Sequence, residues 1–257
     1  MPRSRSTARE RQRRRSPASR PTVLVTGGSG GIGRAICLEF GRAGWHVGVH
    51  YHRRRAEAER TVSELASLGA EGLPLQADVR SSHKVAGMIR SLIERWHGLD
   101  VLVCSAGQGS GQLVLRMAPA EWDTTIHTNL TGTFHCLRAA AKHMLTRRKG
   151  SVIVVGSFAG VQGRAGQAAY AASKAGLFAL VKTAAWEWGH KNVRVNAVLP
   201  GWHPTALAGE AMPKASALHD HALRRTPDLT EVARSVFQLS QLKDVSGQIW
   251  NLDSRIM

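Results

Sequence analysis

Short apolar runs alternate with longer amphipathic stretches along the whole chain from Pro21 onward. The runs are four to seven residues long and rich in Val, which is typical of strands that are buried on both faces. We expect strands at Thr22–Thr26, Trp45–Tyr51, Gly72–Gln76, Val101–Cys104, Ser151–Gly156, Val193–Val198 and Gln248–Leu252. The stretches between them have helical spacing of apolar residues. They predict helices at Arg34–Ala43, Ala56–Leu68, Lys84–Trp96, Glu121–Thr146, Ala168–Trp188 and Thr230–Leu239.

This alternation of strands and helices predicts one doubly wound (Rossmann) α/β domain over residues 21–257. It would have a seven-stranded parallel sheet with helices on both faces, and a ligand at the carboxyl ends of the strands. Neither an internal repeat nor a second domain is visible. The segment Trp202–Arg225 has weaker periodicity and contains Pro204 and Pro213. It is expected to be a loop-and-helix insertion that covers the ligand as a lid.

The first twenty residues differ sharply in composition from the rest. They carry eight arginines against the single acid Glu10, within a formal net charge of +17 for the chain. With almost no apolar residues, residues 1–20 are predicted to be a disordered tail. A transit peptide would need an apolar face, and a nucleic-acid-binding tail would be expected to interleave aromatic residues; the segment has neither. The body without the tail remains basic, which favours an acidic partner or substrate.

Location and metal content are predicted from what the sequence lacks. It has no run of eighteen apolar residues and no apolar core of a secretory signal near its start. Its three cysteines, Cys37, Cys104 and Cys136, lack the spacing of metal ligands. We therefore expect a cytoplasmic protein with reduced thiols, no metal site and no membrane association.

A glycine-rich run follows the first strand directly and precedes a predicted helix. Residues 26–33 read TGGSGGIG. Glycines allow a tight turn and a close approach of the backbone to a pyrophosphate, and the helix N-terminus adds N–H donors and the positive end of its dipole. The context predicts a dinucleotide site, with these contact residues: Gly27, Ser29, Gly31, Ile32 and Gly33.

The end of the second strand carries arginines where a ribose-binding acid would be expected for NAD. A 2′-hydroxyl favours an acid at this position, whereas a 2′-phosphate favours arginine. Arg53 and Arg54 are the predicted phosphate ligands, and Arg55 is interpreted as the solvated start of the next helix. The predicted cofactor is therefore NADP(H).

Tyr170 and Lys174 are four residues apart in a predicted helix and so share one face. A cation beside a phenol stabilises the phenolate, so we expect Lys174 to lower the pKa of Tyr170 and make it a general acid at neutral pH. Ser157 follows the fifth strand, where sites in such sheets form. The three residues are the core of a predicted catalytic site.

Together with further motifs in the same order, these features resemble the short-chain dehydrogenase/reductases from Pro21 to the C-terminus. The stretches that carry the resemblance are Thr26–Gly33, Asp78-Val79, Ala106-Gly107, Asn129, Ser157, Tyr170-x-x-x-Lys174 and Pro200-Gly201. Within that family the chain is most similar to the bacterial 3-oxoacyl-[acyl-carrier-protein] reductases. The stretches Leu115–Met117, Thr128–Leu130, Gly166–Leu177 and Ser246–Gln248 support this.

The resemblance implies a role for each catalytic residue. Tyr170 would protonate a carbonyl oxygen, Ser157 would hydrogen-bond it, Lys174 would hold the nicotinamide ribose, and Asn129 would hold a water of the proton relay. Asp78 and Val79 would contact the adenine, and Thr205 the nicotinamide carboxamide. The remaining implied cofactor contacts are Ala106, Gly107, Pro200 and Gly201.

The resemblance also implies an activity and an assembly. The activity is NADPH-dependent reduction of a 3-oxoacyl thioester on acyl carrier protein, in fatty acid biosynthesis, by a homotetramer formed through the helices of Asn129 and Tyr170. Arg148 and Lys191 match basic positions at which related reductases dock the acidic carrier. A reductase or dehydrogenase of another ketone or alcohol is the alternative. A non-catalytic NADP-binding regulator is a hypothesis from another class, against which the complete set of catalytic residues argues.

Three stretches depart from the family pattern. Cys104-Ser105 replaces two asparagines after the fourth strand, and Asp253-Ser254-Arg255 replaces Asp-Gly-Gly near the C-terminus. The sequence Trp202-His203-Pro204 at the lid entrance is unusual and is expected to narrow the pocket. These departures leave the acyl specificity open.

Overall fold

The computed structural model describes residues 20–109, 111–205, 209, 212 and 218–257. Within them, seven strands form one parallel sheet in the order β3-β2-β1-β4-β5-β6-β7. The strands are β1 (Thr22–Thr26), β2 (His46–Tyr51), β3 (Gly72–Gln76), β4 (Val101–Cys104), β5 (Gly150–Val155), β6 (Val193–Leu199) and β7 (Ile249–Asn251). The predicted fold is confirmed, and each strand boundary agrees within one residue.

Helices connect the strands and cover both faces of the sheet. The α-helices are α1 (Gly31–Arg42), α2 (Arg55–Ser67), α3 (Ser82–Trp96), α4 (Pro119–Ile126), α5 (Gly132–Arg147), α6 (Ala168–Gly189) and α7 (Leu229–Gln241). None of these described helices is long and apolar enough to cross a bilayer. The predicted tail lies outside the described residues except for Arg20, as do most of residues 206–217 in the predicted lid.

Two apolar cores form because successive strand residues point to opposite faces. Leu24 and Leu102 face α3, α5 and α6. Val23 and Val103 face α1, α2 and α7 on the other side. This burial on both faces explains the apolar runs of the inner strands, and it fixes the ends of those strands as a rigid platform.

The order of the strands reverses between β1 and β4, which are paired in register from Val23 with Val101 to Thr26 with Cys104. Connections leave these two strands on opposite faces, so a crevice opens at their carboxyl ends. The glycine-rich turn follows β1, and Ala106-Gly107 follows β4. The fold therefore brings these motifs to one crevice.

The continuous helix predicted at Glu121–Thr146 is wrong. A π-helical segment, His127–Thr131, separates α4 from α5. Its wider turn contains Asn129, whose carbonyl accepts a hydrogen bond from Thr133 Oγ1 at 2.7 Å. A side chain at Gly132 would press on Val79 Cγ2, at 2.7 Å, so the helix packs closely against the end of β3. Such bulges are frequent at functional sites, and hydrophobic periodicity does not reveal them.

We expect truncation of the central strand to destabilise the fold strongly. Leu102 in β4 is fully buried, so Leu102→Ala removes packing and leaves a cavity, with an expected loss of about 2–5 kcal/mol in the free energy of unfolding. Leu115→Ala is the matched control because Leu115 is 97% exposed, and it should change stability by less than about 0.5 kcal/mol. Urea unfolding of both variants checks this, and equal losses would contradict the assigned core.

Candidate active site

Ser157, Tyr170 and Lys174 meet where β5 ends and α6 begins. Lys174 Nζ donates a hydrogen bond to the Val155 carbonyl at 2.8 Å and lies 5.6 Å from the centre of the Tyr170 ring. Ser157 Oγ accepts a hydrogen bond from the Ala159 N–H at 3.2 Å. The helical spacing of four residues thus places phenol and ammonium side by side under the end of the sheet.

The prediction that Lys174 lowers the pKa of Tyr170 is wrong. Burial raises the pKa of Tyr170 above its ordinary value, and the Ser157 hydroxyl acts in the opposite direction. Burial also lowers the pKa of Lys174 to about 8. The ammonium is directed at the Val155 carbonyl instead of the phenol oxygen, so Tyr170 remains a protonated phenol, the form that a proton donor requires.

Asn129 ties the π-helical segment to both sides of the site. Its Oδ1 accepts from the Gln108 N–H at 2.8 Å, while its Nδ2 donates to the Gln108 carbonyl at 2.8 Å and to Ser173 Oγ at 3.0 Å. Both amide protons are therefore used within the protein, so a water at this residue would contact only its oxygens. A side chain at Gly107 would lie 3.2 Å from Asn129 Oδ1 and 3.9 Å from Lys174 Nζ.

The glycine-rich turn has the shape of a cradle for a pyrophosphate. Gly27 has a φ of 70° and touches the backbone of Ala106, which a side chain would approach to 3.0 Å. A side chain at Gly33 would overlap the Gly27 carbonyl, and one at Gly31 would overlap the Thr205 methyl group. Helix α1 begins at Gly31 after an extended Gly30 with no side-chain cap among the described contacts, so its first N–H groups can receive an anion.

Thr26 joins the two halves of the crevice through its hydroxyl. Thr26 Oγ1 accepts hydrogen bonds from the backbone N–H groups of Ser105 and Ala106 at 3.0 and 3.1 Å. The support of the central sheet therefore comes from backbone donors at this point. The departure at Cys104-Ser105 leaves this support in place.

His50 is a site residue that the sequence reasoning missed. It is buried at the end of β2, where its Nδ1 accepts from the Gly27 N–H at 2.9 Å and its Nε2 lies 3.1 Å from the Ala77 carbonyl. These partners fix the neutral tautomer with the proton on Nε2. Burial lowers the pKa of His50 to about 4. The available signal was a histidine within an otherwise apolar buried strand.

The arginines after β2 differ in their contacts. Arg55 begins α2 and pairs with Glu59 at 2.8 Å, as expected of a solvated helix start. Arg53 and Arg54 are exposed beside the crevice, and no hydrogen bond of their side chains is seen within the described part of the chain. After β3, Arg80 pairs with Asp78 at 2.7 Å and holds the pKa of that carboxyl at about 2. Asp78 is therefore ionised, and Arg80 holds its carboxylate in place.

The candidate docking residues lie at the amino ends of two inner strands, at the opposite end of the sheet from the crevice. Arg148 precedes β5 and donates from Nη2 to the His190 carbonyl at 3.1 Å, and Lys191 precedes β6. Tyr170 is near the start of α6, whereas Lys191 follows its end, so the two are separated by about 30 Å along the helix axis. Arg148 and Lys191 form a basic pair remote from Tyr170 of the same subunit.

Comparison with known proteins identifies the class to which this fold and site belong. A family model described as short chain dehydrogenase matches residues 21–216. The chain therefore belongs to the short-chain dehydrogenase family. This confirms the family predicted from the motifs and assigns the chain to the oxidoreductases.

Individual relatives narrow the resemblance. The chain is 37% identical over 233 residues to the 3-oxoacyl-[acyl-carrier-protein] reductase FabG of Staphylococcus epidermidis, with 88% of this chain and 95% of the relative covered. Its structure is similar to an NADPH-bound actinorhodin polyketide ketoreductase, with a TM-score of 0.86, 28% identity, and 93% and 98% of the two chains covered. It is equally similar to an NAD⁺-bound xylitol dehydrogenase, with a TM-score of 0.86, 26% identity, and 93% and 100% covered. These neighbours support a nicotinamide cofactor.

We expect His50 to make the fold sensitive to mild acid. Its pKa is lower in the native protein than the ordinary value of 6.5, so below that pH the unfolded chain binds a proton that the native site resists. This stability is complete above about pH 6.5 and is lost as the pH falls toward about 4. Between pH 7 and 5, wild type should lose on the order of 2 kcal/mol more than His50→Asn in urea unfolding. His83→Asn, at an exposed histidine, is the control and should follow wild type; parallel losses in all three would contradict the assignment.

Proposed function

We propose that this protein is an NADPH-dependent reductase that converts a 3-oxoacyl thioester on acyl carrier protein to the 3-hydroxyacyl form. The observation that carries the proposal is the buried Lys174 beside the partly buried Tyr170 and Ser157, at the same crevice as the glycine-rich cradle. The relative from Staphylococcus epidermidis, which bears the name of that activity, supports the choice of substrate.

The chain's own residues would act on the carbonyl oxygen. When bound, NADPH would supply the hydride that reaches the carbonyl carbon. Ser157 would donate a hydrogen bond to the oxygen, and Tyr170 would give it a proton in the same event, so that no free alkoxide develops. Because Lys174 is buried next to the Tyr170 ring, its positive charge would stabilise the phenolate that remains. Asn129 would keep this end of α6 in register with Gln108.

The crevice fits a dinucleotide along its length. Close backbone approaches at Gly27 and Gly33 make the turn tight, which would leave room for a pyrophosphate over the start of α1. Residues at the strand ends would complete the site, with Asp78 and Val79 at the adenine, Ala106 and Gly107 at the ribose, and Pro200, Gly201 and Thr205 at the nicotinamide. The exposed cations Arg53 and Arg54 would bind a 2′-phosphate.

The carrier would reach the site from a neighbouring subunit. A carrier docked on Arg148 and Lys191 would be about 30 Å along α6 from Tyr170 of the same chain. In the proposed homotetramer, the helices of Asn129 and Tyr170 would form contacts between subunits, so the basic pair of one chain would serve another. Exposed apolar side chains on these helices, Trp122, Phe134 and Trp186, support such contacts.

A substrate panel tests the function. We expect NADPH oxidation with 3-oxoacyl thioesters on acyl carrier protein to exceed that with unrelated ketones. Preference for an unrelated ketone would favour the alternative reductase, for which the similarity to a polyketide ketoreductase is the supporting observation. Binding of NADPH without turnover of any ketone would favour the non-catalytic regulator instead.

Removing the phenolic proton donor should abolish most of the turnover. Tyr170→Phe keeps the ring and its packing, so NADPH binding and melting temperature should remain close to wild type. The kcat should fall by about 10²–10⁴, the usual contribution of a general acid. Steady-state kinetics with a 3-oxoacyl thioester measures the loss, and near-full activity would end the assignment of Tyr170 as proton donor.

Replacing the exposed arginines after β2 should change the cofactor preference. Charge-assisted contacts contribute roughly 1.5–3 kcal/mol each, so Arg53→Ala with Arg54→Ala should lower kcat/KM for NADPH by at least about tenfold and leave NADH almost unchanged. Arg55→Ala is the matched control because its guanidinium pairs with Glu59. Equal efficiency of the wild type with NADPH and NADH would remove the proposed preference.

A further inference from the structure

The stretch Asp253-Ser254-Arg255 departs from the family pattern near the C-terminus. Its Asp253 and Arg255 form a buried ion pair beside the candidate active site. The Arg255 guanidinium donates from Nε to Asp253 Oδ2 at 2.8 Å and contacts the same oxygen through Nη2. The Arg255 N–H donates to Asp253 Oδ1 at 2.9 Å, so one residue engages both carboxylate oxygens. The Asp253 side chain is completely buried and that of Arg255 is nearly so.

The buried guanidinium covers the residue that follows Ser157. The Arg255 Cζ lies 4.2 Å from the centre of the Phe158 ring, and Phe158 is itself buried. Phe158 begins a 3₁₀ turn, Phe158–Gly160, whose Ala159 N–H donates to Ser157 Oγ. The turn packs on α6 so closely that a side chain at Gly160 would lie 3.0 Å from Lys174 Cβ. A displacement of Phe158 would therefore displace both Ser157 and Lys174.

The same C-terminal segment also binds Ala222 and Leu223, which lie near the end of the predicted lid. The Ala222 N–H donates to the Ser254 carbonyl at 3.0 Å, and the Leu223 N–H donates to Ser254 Oγ at 3.2 Å. His221 and Arg255 form an antiparallel bridge. A glycine in place of Ser254 would lack the hydroxyl that Leu223 uses.

These contacts return to the loop after Ser157. Asp220 accepts from Arg164 Nη2 at 3.0 Å, and its other oxygen lies 2.6 Å from His221 Nδ1. The Arg164 guanidinium lies 6.0 Å from the Trp202 ring, so the unusual lid entrance joins the same cluster. The loop between Ser157 and Tyr170 is thus held at two points, at Phe158 by Arg255 and at Arg164 by Asp220. We call the group formed by Asp220–Leu223 and Asp253–Arg255 the C-terminal clasp.

We propose that Arg255 is a positioning residue, which fixes the Ser157 hydroxyl through Phe158 and anchors Asp220–Leu223 as one edge of the acyl-binding side. Both departures from the family pattern, at Arg255 and at Trp202, then serve one purpose. They set the geometry and the width of the substrate side. The ion pair also borders the cofactor side, since a side chain at Gly201 would lie 3.0 Å from Asp253 Oδ2. The substrate part of this proposal rests on the reductase activity proposed above.

The test removes the guanidinium without leaving a buried charge unpaired. Asp253→Asn with Arg255→Ala deletes both charges, because a lone buried carboxylate would destabilise the fold for an unrelated reason. Phe158→Leu keeps the ion pair and removes the aromatic face, and Arg255→Lys keeps the charge without the planar stack. Arg95→Met is the control, since Arg95 forms an exposed ion pair with Glu71 on another side of the molecule.

Amide hydrogen exchange and kinetics give two independent readouts. In the double variant and in Phe158→Leu, we expect faster exchange at Phe158–Gly160. In Phe158→Leu, which leaves Asp253 beside Gly201 as it is, the dissociation constant for NADPH should be unchanged. The kcat for a 3-oxoacyl thioester should fall by about 10–100-fold, since misplaced catalytic groups lose rate more than binding. Arg255→Lys should restore part of the loss, and Arg95→Met should match wild type.

Two results would overturn the proposal. Exchange and kcat that match those of Arg95→Met would show that the clasp positions nothing. Faster exchange with an unchanged kcat would leave Arg255 a purely structural residue. If the double variant does not fold, Phe158→Leu decides between the same outcomes. A wild type that turns over no ketone would end the reductase proposal, and the exchange data would still decide whether the clasp holds the loop.

Discussion

A positive charge buried beneath the carboxyl ends of the central strands constrains the whole candidate site. The Lys174 ammonium lies under β4 and β5, where burial opposes its charge and lowers its pKa to about 8. A buried charge is costly unless it has partners, and among the described groups it donates to the Val155 carbonyl. Its neighbours follow from this requirement. Gly160 must be small because a side chain there would lie 2.7 Å from the Lys174 carbonyl carbon and 3.0 Å from its Cβ, and the Tyr170 ring covers one side of the ammonium.

The rest of the crevice is built from backbone groups that the sheet holds in place. Thr26 joins the end of β1 to the residues after β4, and Asn129 joins those residues to α6. His50 ties the glycine-rich turn to the end of β3. Consequently the cofactor cradle and the catalytic residues belong to one hydrogen-bonded frame. The substrate side is held by the C-terminal clasp, whose Asp253 packs against Gly201.

The sequence was informative wherever local pattern decides structure. Short apolar runs located the strands within one residue, and the position of the glycine-rich run after β1 located the cradle. Tyr170 and Lys174 could be paired from helical spacing alone. Features that depend on distant neighbours were not predictable in this way. The π-helical segment at Asn129 reflects packing against Val79, and the contact of Arg255 with Phe158 joins residues nearly a hundred positions apart. The direction of the Tyr170 pKa shift was wrong because the spacing gave its neighbour but not its burial.

The central claim is that this crevice transfers hydride from NADPH to the carbonyl carbon of a 3-oxoacyl thioester. The most direct measurement follows that hydride with NADPH deuterated at the transferable C4 position of the nicotinamide. Mass spectrometry of the product should find the deuterium at C3 of a 3-hydroxyacyl thioester, with one label for each NADPH consumed. Consumption of NADPH without label at that carbon, or no product from any 3-oxoacyl thioester, would contradict the proposed chemistry.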